Sequence, residues 1–151
     1  MEPSQTCYDL IKSMEGCNLN AYVDPGTGNL PITIGYGATM RKDGSRFKLG
    51  DIITQHEADE LLEWEINTKG IIVSHLLSNV PITQNQYDSV VSLIYNIGAG
   101  NFRSSTLYKK IKVNPNDITI PAEFSRWNKA AGKVMKGLTT RRKAESDLYV
   151  T

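Results

Sequence analysis

Ser13–Gly37 reads SMEGCNLNAYVDPGTGNLPITIGYG, and the change of pattern inside it decides the fold. Upstream, Ser4 is placed to cap a helix over about 4–15, with Leu10, Ile11 and Met14 as its apolar stripe and Gly16 as its stop. The helical period then ends. Ala21-Tyr22-Val23 and Ile32-Thr33-Ile34 have strand character, and Pro25-Gly26-Thr27-Gly28-Asn29 between them is dense in turn formers. Gly35 and Gly37 bracket Tyr36, and Asp43-Gly44 marks another turn. The stretch predicts one helix followed at once by a small antiparallel sheet.

Downstream the helical period returns. Thr54 and Glu57 form a capping box ahead of a long helix near 54–79, whose apolar positions include Leu61, Leu62, Ile66, Ile72 and Leu76. Gly70 sits inside it as a kink or break, and Pro81 stops it. A second box, Thr83 with Gln86, opens a helix striped by Tyr87, Val90, Val91, Ile94 and Tyr95. NIGAGN (96–101) reads as a glycine loop, after which Ser104 or Ser105 can cap a short helix through Leu107 and Ile111. Phe124 and Trp127 share a helical face, AAGKVMKG (130–137) reads as a loop, and 139–149 reads as a final helix. The order predicts an α+β domain spanning 1–151. Its sheet part covers about 16–53, and its helical part about 80–151 plus the helix 4–15, joined by the long helix.

Composition bounds the function classes. A chain of 151 residues buries roughly 68–70% of its unfolded surface, so it needs no staples. Seventeen Lys/Arg against sixteen Asp/Glu leave a formal charge of +1, which points away from nucleic acid, although a local basic patch can hide in a near-zero total. Cys7 and Cys17 make no metal-binding spacing. On a helix they stand roughly 15 Å apart along the axis, beyond disulfide reach, so two reduced thiols and a reducing compartment are expected. No signal-peptide-length apolar run and no window of membrane-spanning length is visible, so a cytoplasmic protein without membrane association is expected. His56 and His75 are isolated, and no metal cluster, phosphate loop or Ser/His/Asp set competes for attention.

Glu15 and Asp24 form the pair with chemical content. Cleaving a glycosidic bond requires a proton on the leaving oxygen while positive charge develops at the anomeric carbon, and two carboxyl groups flanking the bond supply both needs. Glu15 lies at a helix C-terminus, where the backbone's partial negative charge disfavours a carboxylate, whereas Asp24 lies in a polar turn that keeps it ionised. Thr33 offers a hydroxyl to orient a water beside Asp24. Spacing alone leaves two readings open: an acid and a base around a substrate, or surface charges beside an ordinary hairpin.

Longer motifs carry a resemblance. Glu15-Gly16, Leu19-Asn20-Ala21-Tyr22, Asp24, Gly28 and Thr33-Ile34-Gly35-Tyr36-Gly37 closely resemble the catalytic segment of phage-type lysozymes, the muramidase endolysins of tailed phages. Gln86-Tyr87-Asp88, Tyr95-Asn96-Ile97-Gly98 and Phe102–Leu107 resemble that family's central helix and glycine loop. Trp127–Val134 and Gly137–Arg142 resemble its C-terminal signature, so the likeness runs in order through nearly the whole chain.

The resemblance implies a lysozyme-like fold, with a substrate cleft between sheet lobe and helical lobe, and hydrolysis of the β-1,4 bond between N-acetylmuramic acid and N-acetylglucosamine in peptidoglycan. It implies Glu15 as the general acid, with Asp24 and Thr33 holding the attacking water and inverting the anomeric centre. Tyr95, Asn96, Thr106 and Arg142 resemble substrate-binding positions; by its own pattern Tyr95 fits the buried stripe equally well. No cofactor or metal is implied. A monomer is expected, made in the bacterial cytoplasm and reaching the wall through a holin lesion. The rivals are a lytic transglycosylase, which needs no water-activating carboxylate, and a catalytically silent wall-binding protein. Two departures stand out: the nine positions from Asp24 to Thr33 exceed the family spacing, lengthening the 25–31 tip, and Ala38 stands where the family often has a polar residue.

Overall fold

The computed structural model describes residues 1–24 and 30–151. The lengthened tip predicted at 25–31 therefore lies largely outside the described residues. The chain divides into two compact units, Asp9–Glu65 and Met1–Tyr8 with Ile66–Thr151. The divisions fall within the helices α1 (Gln5–Met14) and α2 (Gln55–Leu76).

In the 9–65 unit, β1 (Asn18–Val23) and β2 (Ile32–Gly35) pair antiparallel as the alternating pattern predicts. Tyr22 lies opposite Thr33 and Val23 opposite Ile32, but Asn18 lies opposite Gly35, so the register shifts by a bulge along β1. The other edge of β1 exchanges hydrogen bonds with the 51–53 segment: Ala21 N–H donates to Asp51 O (2.9 Å) and Ile53 N–H to Leu19 O (2.9 Å). The Asp43-Gly44 turn forms, with the Asp43 carboxylate accepting from the Ser45 amide at 2.8 Å. Ile11, Ile34, Phe47, Ile53 and Ala58 are buried.

The capping box before α2 is present. Glu57 N–H donates to the Thr54 hydroxyl (3.1 Å) and Thr54 N–H to the Glu57 carboxylate (3.4 Å). Gly70 does not break α2, which runs through it. In the other unit, α3 (Gln84–Ile97) carries the second box, and every residue from Gln86 to Ile94 is buried, which makes it the core helix. The glycine loop expected at 96–101 is instead the end of α3, Gly98 and the start of a short helix, α4 (Ala99–Ser104). Ser105 rather than Ser104 caps α5 (Thr106–Val113). Beyond α6 (Ile120–Ser125), the loop expected at 130–137 is instead a hairpin of β3 (Lys129–Ala130) and β4 (Lys133–Val134), and α7 (Lys136–Tyr149) starts earlier than its pattern suggests. Ala131 and Gly132 both take positive φ, 51° and 77°, the geometry of a two-residue hairpin turn; alanine there sends no turn signal. The buried α3 packs against α7, and α7 against α6, with the Phe124 and Tyr149 rings 5.5 Å apart.

Ser4 directly precedes α1: its backbone carbonyl accepts from Tyr8 N–H (3.2 Å), and its hydroxyl and amide both donate to the carboxylate of buried Asp88 on α3.

Candidate active site

Glu15 follows α1 directly, and its N–H still donates to Ile11 O (2.9 Å), so the side chain leaves from the final turn of the helix. Nearby, Ile34 and Ala38 exchange both backbone hydrogen bonds (2.9 and 2.8 Å) and close a tight loop around Gly35-Tyr36-Gly37. Glycine is required at two of those positions because φ is +64° at Gly35 and +93° at Gly37. At Gly37 the missing side chain has a second consequence: a Cβ there would stand 3.5 Å from Glu15 Oε2. The loop's bare backbone thus lies against the glutamate carboxylate.

Thr33 lies in β2, and Asp24 directly follows β1. Thr33 faces Tyr22 across the strand pair, and Tyr22 stands two positions before Asp24. The Thr33 side chain is buried, and its hydroxyl donates to Pro31 O at 3.2 Å, leaving lone pairs for a second partner. Tyr22 ties the two acids together. Its phenol is pushed up by burial and then by the charges of Asp24 and Glu15, in that order, so it lies within the field of both. Sequence reading passed over Tyr22; its position two residues before Asp24 on one strand was the available signal.

A supporting network was also missed. The Tyr36 ring is buried in the Gly-Tyr-Gly loop, and its hydroxyl accepts from Gln55 Nε2 at 3.0 Å. The same amide donates to Asp59 (3.0 Å), Lys12 pairs with Asp59 (3.4 Å), and the Lys12 ammonium lies 5.4 Å from the Tyr36 ring centroid. The Gln55 bond, followed by Lys12, holds the Asp59 carboxyl below the usual range. Ala38, where the family often has a polar residue, is buried, and it serves the loop through its backbone.

The remaining sequence candidates lie in the other unit. Tyr95 is half-buried and Asn96 exposed at the end of α3, and Thr106 is exposed as the first residue of α5. Arg142 is buried, with Nε 2.7 Å from Glu145 Oε1 and Nη1 donating to Trp127 O at 3.2 Å. Arg141 pairs with the same glutamate at 3.3 Å, and Ser92 donates to it at 2.6 Å. Burial pushes the Glu145 carboxyl up, and Arg142, Ser92 and Arg141 oppose that shift.

The chain matches the phage lysozyme family over residues 12–145. It is 40% identical over 149 residues to an endolysin of Bacillus phage PZA; the match covers 99% of this chain but 55% of that protein, so the chain spans about half the length of this relative. Among solved structures it is similar to an endolysin from Escherichia coli O157:H7 phage FAHEc1, with a TM-score of 0.86 and 35% identity, covering 99% of this chain and 94% of the other. It is also similar to the muramidase domain of SpmX from Asticaccaulis excentricus, with a TM-score of 0.82 and 28% identity, covering 99% and 98%.

Proposed function

The chain belongs to the phage lysozyme family, and from that premise we propose that it is a muramidase, an inverting hydrolase of the β-1,4 bond between N-acetylmuramic acid and N-acetylglucosamine. In this reading Glu15 gives its carboxyl proton to the glycosidic oxygen as the bond from the anomeric carbon breaks. A water held by Asp24 and the Thr33 hydroxyl attacks that carbon from the opposite face and passes its proton to Asp24. The observation that carries the reading is the grouping of Glu15, Asp24 and Thr33 in one unit, with Tyr22 in the field of both acids.

Tyr95, Asn96 and Thr106 bind the glycan in this proposal, and Arg142 acts indirectly by fixing the Trp127 carbonyl and Glu145. The protein accumulates in the cytoplasm of a phage-infected bacterium and reaches the wall as an endolysin after a holin lesion, acting as a monomer. A transglycosylase is disfavoured because it has no use for a second, water-activating carboxylate such as Asp24.

Turbidity loss of purified peptidoglycan tests the assignment. Glu15→Gln, which keeps the shape but cannot donate the proton, abolishes clearing, and Asp24→Asn reduces it by several orders of magnitude. Full activity of Glu15→Gln overturns the assignment. NMR of the first product shows the α-anomer; a β-anomer would overturn direct attack by water, and muropeptides lighter by one water would reinstate the transglycosylase.

A further inference from the structure

The near-neutral total conceals opposite charges in the two units. Met1–Tyr8 with Ile66–Thr151 carries twelve Lys/Arg against six Asp/Glu, whereas Asp9–Glu65 carries five against ten, giving net charges of +6 and −5. The positive charge is densest from Arg126 to Lys143, where seven cations occur with no Asp or Glu among them. The fold accounts for four of the seven. Arg141 and Arg142 are buried on Glu145, Arg126 pairs with Glu123, and Lys143 pairs with Asp147. Lys129, Lys133 and Lys136 are left over. All three are exposed and make no ion pair among the described residues.

They project from the β3–β4 hairpin and the start of α7. Lys129 faces Val134 across the strand pair and Ala130 faces Lys133, so the two faces of the hairpin each present a lysine. Val134 is 61% exposed and Met135 46%, between the lysines rather than on a face of their own. Lys136 stands in the first turn of α7, which has no acidic residue. A cation is locally unfavourable there because it meets the positive end of the helix. This clustering of like charge costs the fold something and makes no ion pair among the described residues.

We propose that the β3–β4 hairpin with Lys136 is a docking surface for an anionic phosphodiester polymer of the bacterial wall, which holds the enzyme on its substrate. The proposal rests on the muramidase reading for the choice of a wall polymer. Lysines on both faces suit a flexible chain of repeated single charges that can wrap a protruding hairpin. A bilayer is less suited, because inserting Val134 would drag the cross-strand Lys129 with it, and no face is purely apolar.

The test uses Glu15→Gln, so that walls are not digested while binding is measured. Sedimentation with purified Gram-positive sacculi is compared before and after acid extraction of their phosphodiester polymers. Extraction lowers the bound fraction at least about fivefold at moderate salt, and Lys129→Gln/Lys133→Gln/Lys136→Gln lowers it to the same extent on intact sacculi. The triple variant also flattens the log–log salt slope by about two to three, while the matching Lys→Arg triple variant restores binding. Thermal midpoints confirm that the variants fold, and hydrolysis of soluble, phosphate-free glycan oligomers by the triple variant in the Glu15 background stays at the wild-type rate. Equal binding to both sacculi, or undiminished binding by the Gln variant, overturns the proposal. So does affinity as high for duplex DNA, or for vesicles of about one-quarter phosphatidylglycerol, as for the isolated polymer. Failure of the wild type to clear walls would instead overturn the muramidase reading, since the binding comparison needs no cleavage.

Discussion

Gln55 donates to the hydroxyl of Tyr36 at 3.0 Å, linking the first turn of α2 to the loop that lies against the Glu15 carboxylate. Through Asp59 and Lys12 the same network reaches α1, three residues before Glu15. Tyr36 is therefore a positioning residue, and its hydroxyl can be removed without emptying the site. Tyr36→Phe lowers stability by at least about 1 kcal/mol, the value of the one neutral hydrogen bond from Gln55. It lowers kcat roughly 3- to 10-fold with little change in KM, since the glycan contacts are untouched and only the acid's placement loosens. Gln55→Leu lowers kcat similarly and costs more stability, because its bond to Asp59 is lost as well, and the double variant is no worse in kcat than Gln55→Leu alone. Full additivity in kcat would show that the bond does not hold the site.

Gly37→Ala separates backbone strain from contact. The new Cβ meets Glu15 Oε2 at 3.5 Å, an ordinary van der Waals distance, so no clash arises. The strain comes from φ of +93°, which costs a residue with a Cβ about 1–2 kcal/mol. The methyl group also shields one side of the carboxylate from water. Differential scanning calorimetry should show the stability loss, and wall-clearing activity should fall by more than that loss accounts for at temperatures where the variant remains folded. Unchanged activity would place the carboxylate's working position away from the loop.

Much of this was legible because it is local. The two capping boxes, the strand pattern around 18–35 and the Asp43-Gly44 turn depend on residues within a few positions of one another, and all form. Glu15 directly follows α1, Asp24 directly follows β1 and Thr33 lies in β2, so short-range reading could group them. What was missed depends on distance or on a rare conformation. Gln55 meets Tyr36 across nineteen positions, and Asp88 takes Ser4 across eighty-four, contacts that no periodicity encodes. The hairpin at 129–134 turns through Ala131 at positive φ, a residue that normally avoids it, so the stretch resembled a loop. At α4, glycines suggested a loop, but Gly98 ends α3 and its carbonyl accepts from Phe102 N–H (3.3 Å) to begin the next helix.

Gly70 offers a test of packing against propensity. The Tyr87 hydroxyl donates to Gly70 O at 2.8 Å, and a Cβ at Gly70 would meet that hydroxyl at 2.7 Å and Pro3 carbons at 2.8 Å. Gly70→Ala gains about 1 kcal/mol of helix propensity but forces neighbours apart in a filled space, at about 1–3 kcal/mol or more. The net result is a lower chemical-denaturation midpoint. Adding Tyr87→Phe frees room for the methyl group and recovers part of the loss. A stabilised Gly70→Ala protein would mean that the N-terminal segment yields without cost.

Acid sensitivity follows from Asp51. Its carboxylate accepts from Lys48 N–H at 2.9 Å and pairs with Arg41 at 3.1 Å; the Lys48 bond first, then Arg41, hold its carboxyl below the usual range. Its backbone carbonyl accepts from Ala21 on β1, so a loosened Asp51 also loosens the sheet that bears Asp24. Because the folded-state pKa is depressed, the unfolded chain binds the proton more readily. The stabilisation is complete above the unfolded value of about 3.9 and is lost as pH falls from there through the folded value. Asp43 and Asp117, held low by the hydroxyls and amides of Ser45 and Thr119, act in the same direction. The thermal midpoint should therefore be flat near neutrality and fall steeply below about pH 4. Asp51→Asn should start from a lower midpoint at pH 7 and lose less of it on acidification, so that the two curves converge at low pH. Parallel curves for variant and wild type would show that Asp51 contributes no proton linkage.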